Sequence, residues 1–226
     1  MISEDIKEKM KKLAAREAMK FLKDDIVVGL GTGSTAKYAI EFIAENGFDV
    51  ICVATSKESE HLAISLGLRV VSPNEVEYVD ITIDGADEVD KEGNLIKGYG
   101  GALTREKIIA KMSKEEIIVV DETKLVQWLG QKGKLPVEIL SFGWRHTMKA
   151  LESYGYPILR KAGKRPFITD NGNYIVDLSI ERVSDPKKWE LEINSIPGVV
   201  ENGIFTELAT KIIVAYRDGK VRIFEL

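Results

Sequence analysis

The sequence feature that most constrains the fold is an alternation of short β-branched runs with amphipathic stretches in the first half of the chain. The runs are rich in Val and Ile and have the length of buried strands; they cover residues 26–30, 49–55, 69–72, 79–83 and 116–121. The amphipathic stretches have apolar residues at helical spacing; they cover residues 6–22, 36–46, 56–66 and 104–113. Such alternation predicts an α/β fold, with a mostly parallel sheet covered by helices on both faces.

The rhythm of the sequence changes near Leu125, where glycines and a proline interrupt the alternation. Beyond that point the pattern predicts strands at 137–140 and 157–161, a hairpin of 167–169 with 174–178, and helices at 145–154 and 187–195. Strand, helix, two strands and helix in this order predict a second, smaller α+β unit with a split β-α-β layer. Residues 196–205 are predicted to form a loop, and strands at 211–216 and 220–224 to return to the first sheet.

Composition excludes several classes of function. The 226 residues carry a formal net charge of -4, so electrostatics favours neither nucleic acid nor an anionic membrane as a partner. One cysteine and two histidines make a zinc site or an internal disulfide unexpected, and we expect neither a metal nor a cofactor. The charged first residues and the lack of a long apolar run predict a cytoplasmic protein.

The turn GTGST at residues 31–35 lies between a predicted strand and a predicted helix. Glycines permit positive φ, the helix N-terminus offers unpaired amides, and the hydroxyls add donors, which together favour a bound phosphate group. No lysine precedes the hydroxyls as in a P-loop, and Ser34 stands where a dinucleotide fingerprint has its third glycine. A small phosphorylated ligand is therefore our interpretation, and a plain helix-capping turn is the alternative.

The segment 83–107 gathers acids, a lysine and a glycine-rich turn within 25 residues. Asp84 and Asp87 follow a strand-like run, and carboxyl ends of strands are where open α/β sheets bind ligands. Lys97 opens the turn KGYGG, and Glu106 falls in the first turn of the next predicted helix. Each residue alone is more typical of a turn or of a solvated surface, but their crowding favours a catalytic site.

In combination and order, the motifs of the chain resemble the ribose-5-phosphate isomerase A family. The motifs are GLGTGST at 29–35, DGADEVD at 84–90, KGYGGALTREK at 97–107, DETK at 121–124, LPVE at 135–138 and IPGVVENGIF at 196–205. The resemblance implies a Rossmann-like catalytic domain, residues 1–127 with 203–226, and a ferredoxin-like α+β lid domain, residues 128–202. It also implies a homodimer or homotetramer.

The same resemblance implies the site residues. The implied substrate-binding positions are Thr32, Gly33, Ser34, Thr35, Asp84, Gly85, Ala86, Asp87, Lys97, Gly98, Tyr99, Gly100 and Lys124. It implies catalytic roles for Glu106, Asp84, Asp87 and Lys97, with Glu106 as the base. Tyr99 departs from the small residue that is usual in the glycine turn.

The reaction that the resemblance implies is the interconversion of D-ribose 5-phosphate and D-ribulose 5-phosphate in the non-oxidative pentose phosphate pathway. One carboxylate can remove a proton from the carbon beside the carbonyl and return it to the neighbouring carbon through an enediolate. Two other functions stay open. A non-catalytic sugar-phosphate sensor would use the same pocket, and a coenzyme A transferase or amino-sugar phosphate deaminase would use a related fold.

Overall fold

The computed structural model describes residues 2–226, which divide into two compact units. The larger unit contains the chain up to Ala86, Arg105–Lys124 and Leu208–Leu226, and the smaller unit contains Asp87–Thr104 and Leu125–Glu207. The predicted limits of 1–127 with 203–226 and of 128–202 remain a prediction about domains. They differ from the compact units chiefly in residues 87–104, whose strands pair with one at 204–205.

The elements of the described chain are as follows. The helices are α1 (Glu4–Ala18), α2 (Ser34–Asn46), α3 (Lys57–Ser65), α4 (Leu103–Met112), α5 (Trp144–Ala150) and α6 (Pro186–Asn194). The first strands are β1 (Ile26–Leu30), β2 (Val50–Ala54), β3 (Arg69–Val70), β4 (Val79–Asp84), β5 (Glu88–Val89), β6 (Leu95–Ile96), β7 (Ser113–Asp121) and β8 (Lys134–Ile139). The remaining strands are β9 (Tyr156–Leu159), β10 (Lys161–Ala162), β11 (Arg165–Pro166), β12 (Tyr174–Ser179), β13 (Val199–Asn202), β14 (Ile204–Phe205), β15 (Lys211–Ala215) and β16 (Val221–Glu225). Single 3₁₀ turns lie at Met19–Phe21, Pro73–Glu75, Glu122–Lys124 and Leu151–Ser153.

The larger unit is built on a seven-stranded sheet in the order β16-β15-β7-β4-β1-β2-β3. Neighbouring strands are parallel except β16, which is antiparallel to β15. The C-terminal strand β15 pairs with β7, so the end of the chain returns to the first sheet as predicted. The predicted mostly parallel sheet is confirmed.

Helices cover both faces of this sheet because strand side chains alternate in direction. Val28 and Leu30 of β1 join a core with buried residues of α1 and α2, such as Ala14 and Ile40. Val27, which points the other way, belongs to a second cluster with Ile109 of α4. Among residues 2–226, no helix combines the length and the apolar character that crossing a bilayer requires.

The smaller unit contains a four-stranded antiparallel sheet in the order β13-β8-β12-β9. In chain order its elements run β8, α5, β9, β12, α6 and β13, which is the βαββαβ arrangement of a ferredoxin-like layer. The predicted α+β unit is confirmed. Two local predictions are wrong: residues 196–205 contain β13 and β14 rather than only loop, and residues 167–169 touch β12 through a single bridge, Ile168 to Tyr174.

A short three-stranded sheet in the order β14-β6-β5 also belongs to the smaller unit. The sequence pattern did not predict β5 and β6 because each strand is only two residues long. Pairing of Ile204 with Ile96 and of Phe205 with Leu95 joins segments more than 100 residues apart. This pairing fixes the backbone that leads directly into the turn at Lys97.

Candidate active site

The glycine turn after β1 lies against the end of β4. The Gly31 amide donates to the Ile83 carbonyl at 3.0 Å, and the Thr32 amide donates to Asp84 Oδ1 at 3.1 Å. A Cβ at position 31 would lie 2.3 Å from the same Asp84 oxygen. Glycine is therefore required here, because no side chain fits between the turn and the carboxylate.

Helix α2 begins at Ser34, two residues earlier than predicted. Its N-cap is Gly33, whose φ of 102° lies in the region that favours glycine, and no side chain caps the helix. The first amides of the helix and the side chains of Ser34 and Thr35 are thus grouped where an anion binds favourably. This geometry agrees with the phosphate interpretation of the turn.

Behind the turn, Thr32 joins two hydroxyls that the sequence analysis missed, those of Thr55 and Ser59. Thr32 Oγ1 and Thr55 Oγ1 are 2.7 Å apart, Thr55 Oγ1 is also 3.0 Å from the Leu30 carbonyl, and Ser59 Oγ donates to the Gly31 carbonyl at 2.6 Å. Thr55 donates its single proton to the Leu30 carbonyl and therefore accepts from Thr32, which holds the Thr32 side chain beside the turn. The only sequence signal for Thr55 was its position directly after a strand, at the carboxyl edge where ligands bind.

Asp84 ends β4 and has a fully buried side chain. Its Oδ1 also accepts from the Gly85 amide at 2.7 Å. Asp84 is thus the buried last residue of a strand and not an ordinary turn residue, which was the alternative interpretation of this residue taken alone. Gly85 and Ala86, the next two predicted positions, are partly exposed.

Glu106 lies in the first turn of α4 and is only 5% exposed, so it is not a solvated surface acid. Helix α4 leads directly into the amino end of β7, so it runs from the carboxyl edge of the sheet to the amino edge. A Cβ on Gly29 of β1 would lie 3.0 Å from Ile109 Cγ2, so Ile109 lies at the level of Gly29. Glu106, three residues earlier, lies about 4.5 Å further along the helix axis towards the edge where the glycine turn begins.

Lys124 ends the 3₁₀ turn after β7 and is partly exposed. Strands β1, β4 and β7 are adjacent and parallel, so the glycine turn, Asp84 and Lys124 all follow strands at the same edge. The structure thus places all predicted positions of the larger unit at one edge of one sheet, where open α/β sheets bind ligands.

In the smaller unit, Lys97 opens the predicted glycine turn. Its amide donates to the Gly203 carbonyl at 2.9 Å, its side chain is 2% exposed, and Nζ lies 5.6 Å from the centroid of the Phe205 ring. The alternative interpretation of Lys97 as a solvated surface residue is therefore wrong. Burial of the ammonium against an aromatic face is favourable only with a compensating electrostatic partner, which makes Lys97 a functional candidate.

The turn is closed by Gly98 and Gly101, with the Gly101 amide donating to the Gly98 carbonyl at 2.9 Å. Both residues have positive φ, 100° and 87°. A Cβ on Gly98 would lie 2.7 Å from Leu103 Cδ2. Gly100, between them, is exposed.

Asp87 and Tyr99 are joined across the base of this turn. The Tyr99 amide donates to Asp87 Oδ2 at 2.9 Å, and the Tyr99 hydroxyl reaches the Lys134 carbonyl at 3.4 Å. Lys134 Nζ lies 4.1 Å from the ring centroid, and burial raises the pKa of the Tyr99 phenol above its ordinary value. The tyrosine side chain therefore packs against the core of the smaller unit.

Arg160 is another residue that the sequence analysis missed. Its Nη1 donates to the carbonyls of Gly98 and Tyr99 at 3.1 and 3.0 Å, while Nε donates to Asp177 Oδ2 at 2.9 Å. The guanidinium fork thus ties the turn to β12. No local sequence pattern identifies this role, because Gly98 and Tyr99 lie 62 and 61 residues away from Arg160 in the chain.

Cys52 is buried, and burial raises the pKa of its thiol to about 12, which keeps it protonated near neutral pH. Among residues 2–226, no group of three or more His, Cys, Asp or Glu side chains has an arrangement that could hold a metal ion.

Similarity to known proteins agrees with this arrangement. Residues 51–219 match the family model of ribose 5-phosphate isomerase A (phosphoriboisomerase A). The ribose-5-phosphate isomerase A of Thermococcus kodakarensis is 47% identical over 224 residues, which cover 96% of this chain and 98% of that protein.

Solved structures show the same likeness. A D-ribose-5-phosphate isomerase in complex with phospho-erythronic acid superimposes with a TM-score of 0.93 at 43% identity, covering 100% of both chains. The ribose 5-phosphate isomerase A of Methanocaldococcus jannaschii superimposes with a TM-score of 0.90 at 42% identity, covering 99% of both chains. The chain therefore belongs to the ribose-5-phosphate isomerase A family.

Proposed function

We propose that this isomerase interconverts D-ribose 5-phosphate and D-ribulose 5-phosphate through an enediolate, with Glu106 as the proton shuttle. Glu106 carries the proposal because it is a buried carboxylate on the helix that starts at the ligand-binding edge of the sheet. One carboxylate within about 3 Å of both carbons can take the proton from C2 and return it to C1. The resemblance assigns the same role to this position.

The remaining roles follow from charge and hydrogen-bonding capacity. Lys97 and the amides of the glycine turn would stabilise the oxyanion that develops as the proton leaves, at about 3 to 4 kcal/mol for a well-aimed donor. Asp84 and Asp87 would orient sugar hydroxyls, assist ring opening and relay protons between the two oxygens. Both acids are hydrogen-bonded to backbone amides, which supports fixed orientations for them.

The phosphate would bind to the turn of Thr32 to Thr35, with Lys124 as a further cation. The uncapped start of α2 and the hydroxyl cluster support this assignment. The helix dipole contributes only about 0.3 to 1 kcal/mol, so the convergent amide and hydroxyl donors provide most of the binding. A solved relative that carries phospho-erythronic acid, a phosphorylated sugar acid, supports a ligand of this class.

The decisive experiment is Glu106→Gln, assayed with ribose 5-phosphate in deuterated water. The variant should bind substrate with unchanged affinity but lose turnover at least 1,000-fold, because the amide cannot accept the proton. The wild-type protein should form ribulose 5-phosphate with deuterium incorporated at C1. If the wild-type protein binds ribose 5-phosphate without turnover, the result would support a sensor instead. Substantial turnover by Glu106→Gln would show that Glu106 is not the base.

We also propose a homodimer or homotetramer, as the resemblance implies. Strand β9 lies at the edge of its sheet, and its Tyr156 and Ile158 are 73% and 51% exposed. Large apolar side chains on an unpaired edge strand are favourable sites for pairing with another chain. The cytoplasmic location expected from the sequence stays a prediction.

A further inference from the structure

Glu138 is a fully buried carboxylate that the proposed mechanism does not use. It lies on β8 in the smaller unit. Its Oε2 accepts from the Thr104 hydroxyl at 2.6 Å, and its Oε1 accepts from the Thr169 hydroxyl at 2.9 Å and the Asn173 amide at 2.8 Å. Asn171 Nδ2 is a fourth donor, at 3.1 Å from Oε1.

All four donors are neutral side chains. Burial of a charged group is costly unless ion pairs or hydrogen bonds compensate for it, and these four hydrogen bonds compensate for the burial of Glu138. Lys134 and Arg160 pair with Asp177 instead. A charged acceptor holds its donors in shorter and stronger hydrogen bonds than a neutral one, so the carboxylate fixes its neighbours with more precision than an amide would.

The two oxygens of Glu138 hold two different parts of the structure. Oε1 holds the loop between residues 169 and 173, which precedes β12. Oε2 holds Thr104, the second residue of α4. Glu106 follows two residues later in the same helical turn, so the position of the Thr104 side chain sets the rotation and height of the helix start.

We propose that Glu138 is a positioning residue that acts through the Thr104 hydroxyl to hold the carboxylate of Glu106 in place for proton transfer. This inference rests on the proposed role of Glu106 as the base. Proton transfer from carbon is sensitive to distance, and a misplacement of about 1 Å can cost up to about 100-fold in rate. Loss of the bond should therefore lower turnover more than it weakens substrate binding.

The test compares three variants in steady-state kinetics with ribose 5-phosphate. Thr104→Val keeps the shape of the side chain but removes the hydroxyl, and Thr104→Ser retains it. Thr169→Val is the matched control, because it removes a hydroxyl bond to the same carboxylate without touching α4. Thermal unfolding of each variant reports the purely structural effect.

Thr104→Val should lower kcat about 10-fold with KM changed less than 2-fold, and Thr104→Ser should restore kcat to within 2-fold of the wild type. With substrate deuterated at C2, Thr104→Val should also show a larger primary isotope effect on kcat, since proton transfer becomes more rate-limiting. Thr169→Val should lower the melting temperature at least as much as Thr104→Val but leave kcat within 2-fold.

Two results would overturn the inference: wild-type kcat in Thr104→Val, or equal losses of kcat in Thr104→Val and Thr169→Val. The Glu106→Gln variant shows whether the positioning role of Glu138 or the assignment of Glu106 as the base is wrong. If Glu106→Gln is inactive while Thr104→Val is fully active, the base is correct and the positioning role is wrong. An active Glu106→Gln would overturn both.

Discussion

At the scale of single residues, the candidate site depends on close approaches that only glycine permits. Gly31 lets the turn after β1 approach Asp84, and Gly98 lets the turn after Lys97 approach Leu103. The sequence identified these glycines because glycine between a strand and a helix has few other uses. It did not identify Thr55 or Arg160, because a hydroxyl or a guanidinium gains its role only from the neighbours that folding provides.

The hydroxyl of Thr55 gives a prediction at this scale. Thr55→Val removes the partner of the Thr32 hydroxyl and should raise KM for ribose 5-phosphate about 5-fold, equivalent to about 1 kcal/mol for one hydrogen bond, with little change in kcat. Steady-state kinetics measures both constants. Thr55→Ser should behave like the wild type, and an unchanged KM in Thr55→Val would show that this hydroxyl does not support the phosphate turn.

At the scale of elements, the central strands are held together by side-chain hydrogen bonds as well as by the backbone hydrogen bonds of the sheet. The Val27 amide of β1 donates to Asp80 Oδ2 at 2.9 Å, and Lys114 of β7 contacts Asp80 Oδ1 at 2.8 Å. Asp80 thus links three neighbouring parallel strands near their amino ends. The carboxyl ends of the same strands carry the site.

The pKa of Asp80 gives a prediction about stability and pH. Burial alone would raise this pKa, but hydrogen bonds from Lys114 and the Val27 amide outweigh it and hold the pKa below its ordinary value of 3.8. Because the folded-state pKa is lowered, the contribution of Asp80 to stability is present above pH 3.8 and is lost as the pH falls through the folded-state value. The control is Asp80→Asn, which has no carboxyl group to titrate.

Urea unfolding at a series of pH values measures this effect. The wild type should be more stable than Asp80→Asn at pH 7, and the difference should shrink as the pH falls below 3.8. A difference that stays constant down to the acid transition would contradict the proposed linkage. Lys114 is largely exposed, so added salt should reduce the difference at pH 7 in part.

At the scale of the whole molecule, the chain forms two compact units with different sheet types. Helices cover both faces of the mostly parallel sheet. The antiparallel sheet of the smaller unit has β9 as one of its edge strands. Unpaired backbone groups and large exposed apolar side chains on such an edge favour association. At this scale we therefore predict that β9 contributes to the assembly of an oligomer.

A double variant, Tyr156→Lys with Ile158→Lys, should reduce the molar mass measured by light scattering if β9 contributes to assembly. Both side chains are exposed in the single chain, so the folded monomer should tolerate the change with a stability loss of less than about 1 kcal/mol. Leu191→Lys, a similarly exposed apolar position on α6, is the control. An oligomer of unchanged mass in the double variant would assign assembly to another surface.

The sequence by itself determined the class of the fold, the order of the main strands and helices of the larger unit, and the identity of the glycine and acid motifs. It could do so because apolar periodicity and turn chemistry are local properties of the chain. Only the tertiary structure decided that Asp84, Lys97 and Glu106 are buried and that residues 199–202 and 204–205 form strands. It also decided which residues Thr55, Arg160 and Glu138 contact. These features depend on hydrogen bonds and close packing between segments tens of residues apart, which leave no periodic signal in the sequence.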